Sequence, residues 1–216
     1  MASRNVKQRL LEDMRDGLRQ SVEYFSSSNK GERERWCCQE FVRNLNVRPW
    51  SRSFVSPDED PPDVIYRDAR FEVKEVLDAG RRRHHEYRQA LEEALGAKDP
   101  AELMKEYSPK DITPLQVGEL VQSQVHKLRR KYDPKLQRSL DLLVYVNLLE
   151  TLLGRGAMPN PAAFENSGWR SVSALFGWNS LVFYAERSAP KLIRDSAGAV
   201  VLRARKLVES QPNRKK

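Results

Sequence analysis

The sequence predicts an α/β (α+β) fold in which a central mixed sheet is flanked by helices, and three stretches carry that expectation. The first is Pro62 to Val76, PDVIYRDARFEVKEV, where two short apolar runs flank a four-residue polar turn, Arg67-Asp68-Ala69-Arg70, the pattern of a hairpin. The second is a set of apolar stripes at helical spacing, over residues 4–25, 31–45 and 113–132. The third is Leu140 to Leu149, LDLLVYVNLL, an apolar run without a helical stripe, as in a strand covered on both faces.

Within the hairpin, side chains alternate between the two faces. Glu72 and Lys74 therefore share one face while Phe71 and Val73 take the other. Asp63 lies across from Glu72 and Lys74, near one end of the pair. Two carboxylates held close together repel, and a hard, oxygen-seeking cation relieves that repulsion. Such an ion polarises a phosphoryl oxygen and lowers the pKa of a bound water. A neighbouring lysine orients that water or offsets charge on the reacting phosphorus.

At these residues the sequence resembles the PD-(D/E)XK nuclease superfamily. Pro62-Asp63 matches the first half of its signature and Glu72-Val73-Lys74 the second. Within the superfamily it is similar to a bacterial family of uncharacterised endonucleases. The resemblance covers residues 31–150 and implies a restriction-endonuclease-like core: a helix, a three-stranded meander, a crossover helix and a fourth strand. It also implies an endonuclease dependent on Mg²⁺ (or Mn²⁺) that hydrolyses phosphodiester bonds of nucleic acid, DNA first among them. Asp63 and Glu72 would hold the metal, with the Val73 carbonyl as a further ligand, and Lys74 would position the attacking water. Glu40, on the helix before the sheet, fits the acidic residue that the superfamily often places there. A helical insertion over residues 80–110 departs from the pattern and could narrow the site.

Two plainer readings stand beside this one. Glu72 and Lys74 could form a solvated pair on an edge hairpin, worth little to stability. The fold could equally be kept by a non-catalytic nucleic-acid- or protein-binding protein, since folds outlive activities. A second acidic-x-Lys triplet, Asp133-Pro134-Lys135, is no rival, because a proline in its middle bars it from a central strand.

The remaining elements follow in order. Val6, Leu10, Met14, Leu18, Val22 and Phe25 form one stripe on a helix within residues 4–28, suited to packing or to a dimer contact. Cys38, Phe41, Val42 and Leu45 form the apolar face of the next helix, with Glu40 at its margin. Trp50 to Val55 reads as a first strand. A proline-rich acidic loop follows, in which Asp58, Glu59 and Asp60 read as solvated charges. Gly80 opens a helix with Arg81, Arg82, Arg83, His84 and His85 on its first turn. Cations there oppose the helix dipole, so contact with backbone phosphates explains them better than local helix energetics does. His84 also fits a general acid or base, or a surface residue. Asp99-Pro100 starts a short helix, and Thr113-Pro114-Leu115-Gln116 is a capping box that opens a longer one. The longer helix ends in a basic cluster that includes Lys127 and Arg130, which either complements the helix terminus or extends a phosphate-binding surface.

Beyond residue 150, Val172 to Phe176 and Leu181 to Ala185 either extend the sheet or form a small hairpin. Leu192 to Leu202 reads as another hairpin across Asp195-Ser196-Ala197-Gly198, and residues 211–216 as a basic tail. With neither repeats nor a separate linker, residues 1–216 are expected to form one elaborated domain, with 151–210 extending the sheet.

A net charge of +8 suits a phosphate-rich partner, although many proteins are mildly basic for other reasons. The two cysteines, Cys37 and Cys38, are adjacent, so they neither bridge without strain nor complete a zinc site. They read as reduced residues of a cytoplasmic protein. The charged start carries no apolar signal region, and no run approaches the roughly 20 apolar residues of a membrane span. A two-fold dimer is natural if both strands of a duplex are cut.

Overall fold

The computed structural model describes the backbone of residues 2–203 and the side chains of residues 5–203; the expected basic tail lies outside them. Helix α1 (Ala2–Tyr24) leads through a short 3-10 turn to α2 (Lys30–Asn44). Strands β1 (Phe54–Val55), β2 (Val64–Tyr66) and β3 (Ala69–Leu77) follow, then α3 (Arg83–Gly96) and β4 (Lys110–Ile112). Next come α4 (Pro114–Leu128), α5 (Pro134–Gln137), β5 (Asp141–Asn147), β6 (Thr151–Leu153) and α6 (Ala162–Glu165). The chain closes with β7 (Ser171–Phe176), β8 (Asn179–Ala185), α7 (Lys191–Arg194) and β9 (Ala199–Leu202).

Seven strands form one mixed sheet in the order β1-β2-β3-β5-β7-β8-β9. The central strands β3, β5 and β7 run parallel, and antiparallel strands flank them on both sides. Asp141–Asn147, within the apolar run at 140–149, is the middle of this sheet, which is why it shows no polar alternation, while Leu149 lies past the strand and is exposed. Strands β4 and β6 make a separate parallel pair beside it.

Each face of the sheet has its own core. On one face, Cys38, Phe41 and Val42 of α2 pack against Phe71, Val73, Leu143 and Val182. On the other, Val117 and Val121 of α4 pack against Leu142, Val144, Val172 and Phe183. Gly118 lets α4 come close to its surroundings, because a Cβ there would lie 2.7 Å from Cγ of Pro159. The Thr113 capping box forms as expected, with the Gln116 side chain returning to the Thr113 amide at 2.9 Å.

Helix α1 packs along α3. Its Arg15 donates to the carbonyls of Ala94 (2.9 Å) and Ala97 (3.0 Å), which satisfies the open end of that helix. Leu11 is buried in the contact, while Val6 and Leu10 of the predicted stripe remain exposed.

Several boundaries differ from expectation. Only Phe54–Val55 of the first strand pairs, after a 3-10 turn at Ser51–Ser53. The turn between β2 and β3 has two residues, Arg67 and Asp68, since Tyr66 already pairs with Ala69. The short helix after Asp99 is a 3-10 turn, Pro100–Leu103. The Leu192–Leu202 hairpin is absent: α7 occupies its first half, and β9 pairs with β8 instead. Asp133 caps α5, accepting the amides of Lys135 and Leu136, so the second acidic-x-Lys triplet is part of a helix start. Strands β7 to β9 extend the main sheet, and β7 lies beside β5 at its centre. Among the described residues, no helix is long and apolar enough to cross a membrane.

Candidate active site

Strand β2 is three residues long and β3 nine, so their pairing stops at Val64 and Phe71. Beyond that point β3 is paired with β5 on one side, and its other edge faces the residues described next. Asp63, one step before β2, fills the first gap. Its Oδ2 accepts the Val73 amide at 2.8 Å in place of a strand carbonyl. This register sets the Asp63 carboxylate beside that of Glu72, and both side chains are 2% exposed.

Asp60, from the proline-rich loop, completes a triad: carboxylate oxygens of Asp60, Asp63 and Glu72 all lie within 4.8 Å of one another. Lys74 reaches into the same space. Its Nζ donates to Glu72 Oε1, lies 3.0 Å from the Val73 carbonyl oxygen and stands 3.5 Å from Asp63 Oδ2. The Tyr132 hydroxyl also donates to Glu72 Oε1, at 2.6 Å. Burial and that hydrogen bond to a carboxylate hold the Tyr132 hydroxyl above its ordinary range, so it stays a donor. Oε2 of Glu72 is buried and has no hydrogen-bond partner among the described residues.

The wall opposite β3 comes from the start of α2. Lys30 Nζ bridges Asp63 Oδ1 (3.3 Å) and Glu34 (3.1 Å). Burial and the adjacent Asp63 raise the Glu34 carboxyl to about 7, even though Lys30 pulls the other way. Burial lowers the Lys30 pKa, but its bonds to Glu34 and the charge of Asp63 outweigh that effect and hold the ammonium above its ordinary range. A cavity of 440 Å³ opens beside Lys74, with Lys30, Glu34, Arg83 and Lys131 in its walls.

Asp63, Glu72 and Lys74 thus come together. Glu40 does not join them, and the expectation for it is corrected. Arg43 holds it at 2.6 Å and Arg203 pairs with its other oxygen, near the far end of α2. The acidic residue that α2 aims at Asp63 is Glu34. The Val73 carbonyl, expected to face a metal, accepts Lys74 instead, while its amide anchors Asp63. Asp60 is exposed, as expected of a solvated loop charge, although its carboxylate also approaches the pair, and neither Lys30 nor Tyr132 follows from the strand pattern.

The basic residues also divide. Arg81, expected on a helix turn, precedes α3 and is 10% exposed, bonded to Glu86 at 2.7 Å and to the Asn147 carbonyl at 3.0 Å. Arg83 pairs with Glu75 at 2.7 Å and lies over the Phe25 ring at 4.2 Å. Neither guanidinium is free for a phosphate contact. Arg82, His84, Lys127 and Arg130 are exposed. Cys37 and Cys38 are free and buried, and burial pushes both thiols upward, away from reactivity.

All the candidate ligands here are oxygen donors, the set that suits Mg²⁺ or Mn²⁺ rather than zinc or copper. The unpartnered Glu72 oxygen leaves one ligand position that the protein itself does not fill.

Fold and site together define a mixed α/β protein with a buried carboxylate pair and a lysine at an open strand edge. Residues 7–207 match the family described as "Putative endonuclease, protein of unknown function (DUF1780)", and the chain belongs to that family. It is also similar to a solved structure from Pseudomonas aeruginosa strain PAO1, described as the protein of unknown function PA4535 of the monooxygenase superfamily. The two chains share 27% identity with a TM-score of 0.62, over 90% of this chain and 94% of that one. No curated protein matches.

Proposed function

We propose that this chain is a divalent-cation-dependent endonuclease with a restriction-endonuclease-like core, hydrolysing phosphodiester bonds of nucleic acid, DNA in the first instance. The observation that carries the reading is Glu72 Oε2. A buried carboxylate oxygen without a partner, on a residue whose carboxylate lies within 4.8 Å of those of Asp63 and Asp60, is costly unless something positive completes it. The family's description as an endonuclease points the same way.

Asp63 and Glu72 would hold Mg²⁺ (or Mn²⁺), with Asp60 within reach. When bound, the ion supplies charge neutralisation at the phosphoryl oxygen and a more acidic water. The chain's own groups do the rest. The Val73 amide and Lys30 fix the Asp63 carboxylate, and Tyr132 fixes that of Glu72. Lys74 has three N–H donors, of which Glu72 and the Val73 carbonyl take two. The third has only the longer 3.5 Å approach to Asp63 Oδ2, so it would turn to orient a water or to offset charge on a phosphate oxygen.

The test is cleavage of linear, supercoiled, branched and single-stranded DNA, and of RNA, with Mg²⁺ or Mn²⁺. Asp63→Ala and Lys74→Ala should both abolish cutting. Thermal unfolding provides a second readout: Mg²⁺ should raise the melting temperature of the wild type but not that of Asp63→Ala. Binding without cutting, unchanged by either substitution, would sink the nuclease reading in favour of a non-catalytic binder.

A further inference from the structure

Beside the candidate active site lies a smaller cavity of 260 Å³, walled by Tyr24, Phe25, Trp36 and Tyr145 and by Arg33 and Arg83. It adjoins the cavity of Lys74 and Glu34, because Arg33, Cys37, Arg83 and Tyr145 line both. Its cations are fixed in place. Arg33 donates to the carbonyls of Tyr24 and Ser26, each at 2.7 Å, and Arg83 is held by Glu75.

Its rings are not equally available. Phe25 is taken up by Tyr87, stacked at 4.8 Å, and by Arg83 at 4.2 Å. Trp36 touches Tyr145 edge-on, with centroids 5.6 Å apart, and remains 40% exposed. The core of α2 lies elsewhere, on Cys38, Phe41 and Val42. An open indole beside two immobilised guanidiniums therefore has no evident use in folding.

Resting on the nuclease reading, we propose that this pocket receives one unpaired base of the strand whose phosphate lies at Asp63, Glu72 and Lys74. The substrate class is then single-stranded or locally unpaired nucleic acid. An indole offers a face on which any base stacks, and the two guanidiniums, already held by Glu75 and by backbone carbonyls, add fixed positive charge and cation–π attraction rather than phosphate contacts. The volume falls just below the lower end of ligand cavities, roughly 300 Å³. That suits a single base and excludes a stacked pair. A base inside an intact duplex would first have to leave its stack, at a cost of a few kcal/mol.

Equilibrium binding in EDTA, where no strand is cut, tests this. The probes are a fluorescently labelled oligothymidylate of about 15 nucleotides, the length scale of such sites, and a duplex of the same length. The single strand should bind more tightly. Trp36→Ala should weaken single-strand binding by roughly 5- to 100-fold, the range of one stacked base, and Trp36→Phe should restore most of it. Equal affinity for strand and duplex, or no loss in a folded Trp36→Ala protein, overturns the inference. Metal-dependent duplex cutting alongside that result would leave the nuclease reading standing. A Trp36-dependent preference for single strands without cutting on any substrate would instead sink the nuclease reading and keep the pocket.

Discussion

The Tyr132 hydroxyl lies 2.6 Å from Oε1 of Glu72, so a residue in the turn after α4 sets the orientation of a carboxylate on β3. Tyr132 itself is steadied by the edge of Trp169, with centroids 5.2 Å apart. Tyr132→Phe keeps the ring contact and removes the donor. Stability should fall by about 1 kcal/mol, the net worth of one hydrogen bond. Cleavage should fall by about 10- to 100-fold, the usual effect of releasing a ligand's supporting partner. Cleavage rates measured beside melting curves check both, and an unchanged rate removes Tyr132 from any positioning role.

The Glu34 carboxyl, raised to about 7, makes stability depend on pH in a stated direction. Between the ordinary value of 4.5 and about 7, the folded chain keeps a proton that the unfolded chain has lost. Stability therefore falls as pH rises through that window, and the cost is complete above it. Glu34→Gln removes the dependence. In metal-free buffer the variant and the wild type should be equally stable at about pH 4 and differ by roughly 1–2 kcal/mol in the variant's favour at about pH 8, after allowance for solvent screening. Urea unfolding at both pH values decides it, and an identical difference at each would refute the assignment.

Arg81 and Arg82 are neighbours with opposite roles. Arg81→Ala would leave the Asn147 carbonyl and Glu86 without their partner and should cost about 1–3 kcal/mol in denaturant unfolding. Arg82→Ala, at an exposed position, should leave stability within about 0.5 kcal/mol. If Arg82 meets a phosphate, its loss should lower by about one unit the slope of log affinity against log salt. A destabilised Arg82→Ala protein would reverse this assignment.

What the sequence reveals about the site is what strand alternation and register reveal. Glu72 and Lys74 share a face by period two, and the hairpin sets Asp63 opposite, so those three residues were legible. Glu34 was not. It is six residues from Glu40, which on a helix means about 9 Å along the axis and roughly 120° around it. The apolar stripe locates the buried face of α2 but not which end of the helix overlies Asp63. Asp60 arrives on a loop whose path has no periodic signal, and Tyr132 acts across 60 residues of sequence. The C-terminal strands had the right composition, but only tertiary pairing shows that β7 lies beside β5, deep in the sheet.

The nine-residue β3 carries both site side chains and pairs along its length with β5, itself flanked by β7. Strands so placed open only when the whole domain melts. The carboxylate and amine of Glu72 and Lys74 are consequently fastened to the stiffest part of the molecule. The opposite wall is built differently, from the 56–62 loop and the first turns of α2, elements outside the sheet, so β3 is the anvil against which Asp60, Asp63, Lys30 and Glu34 are set.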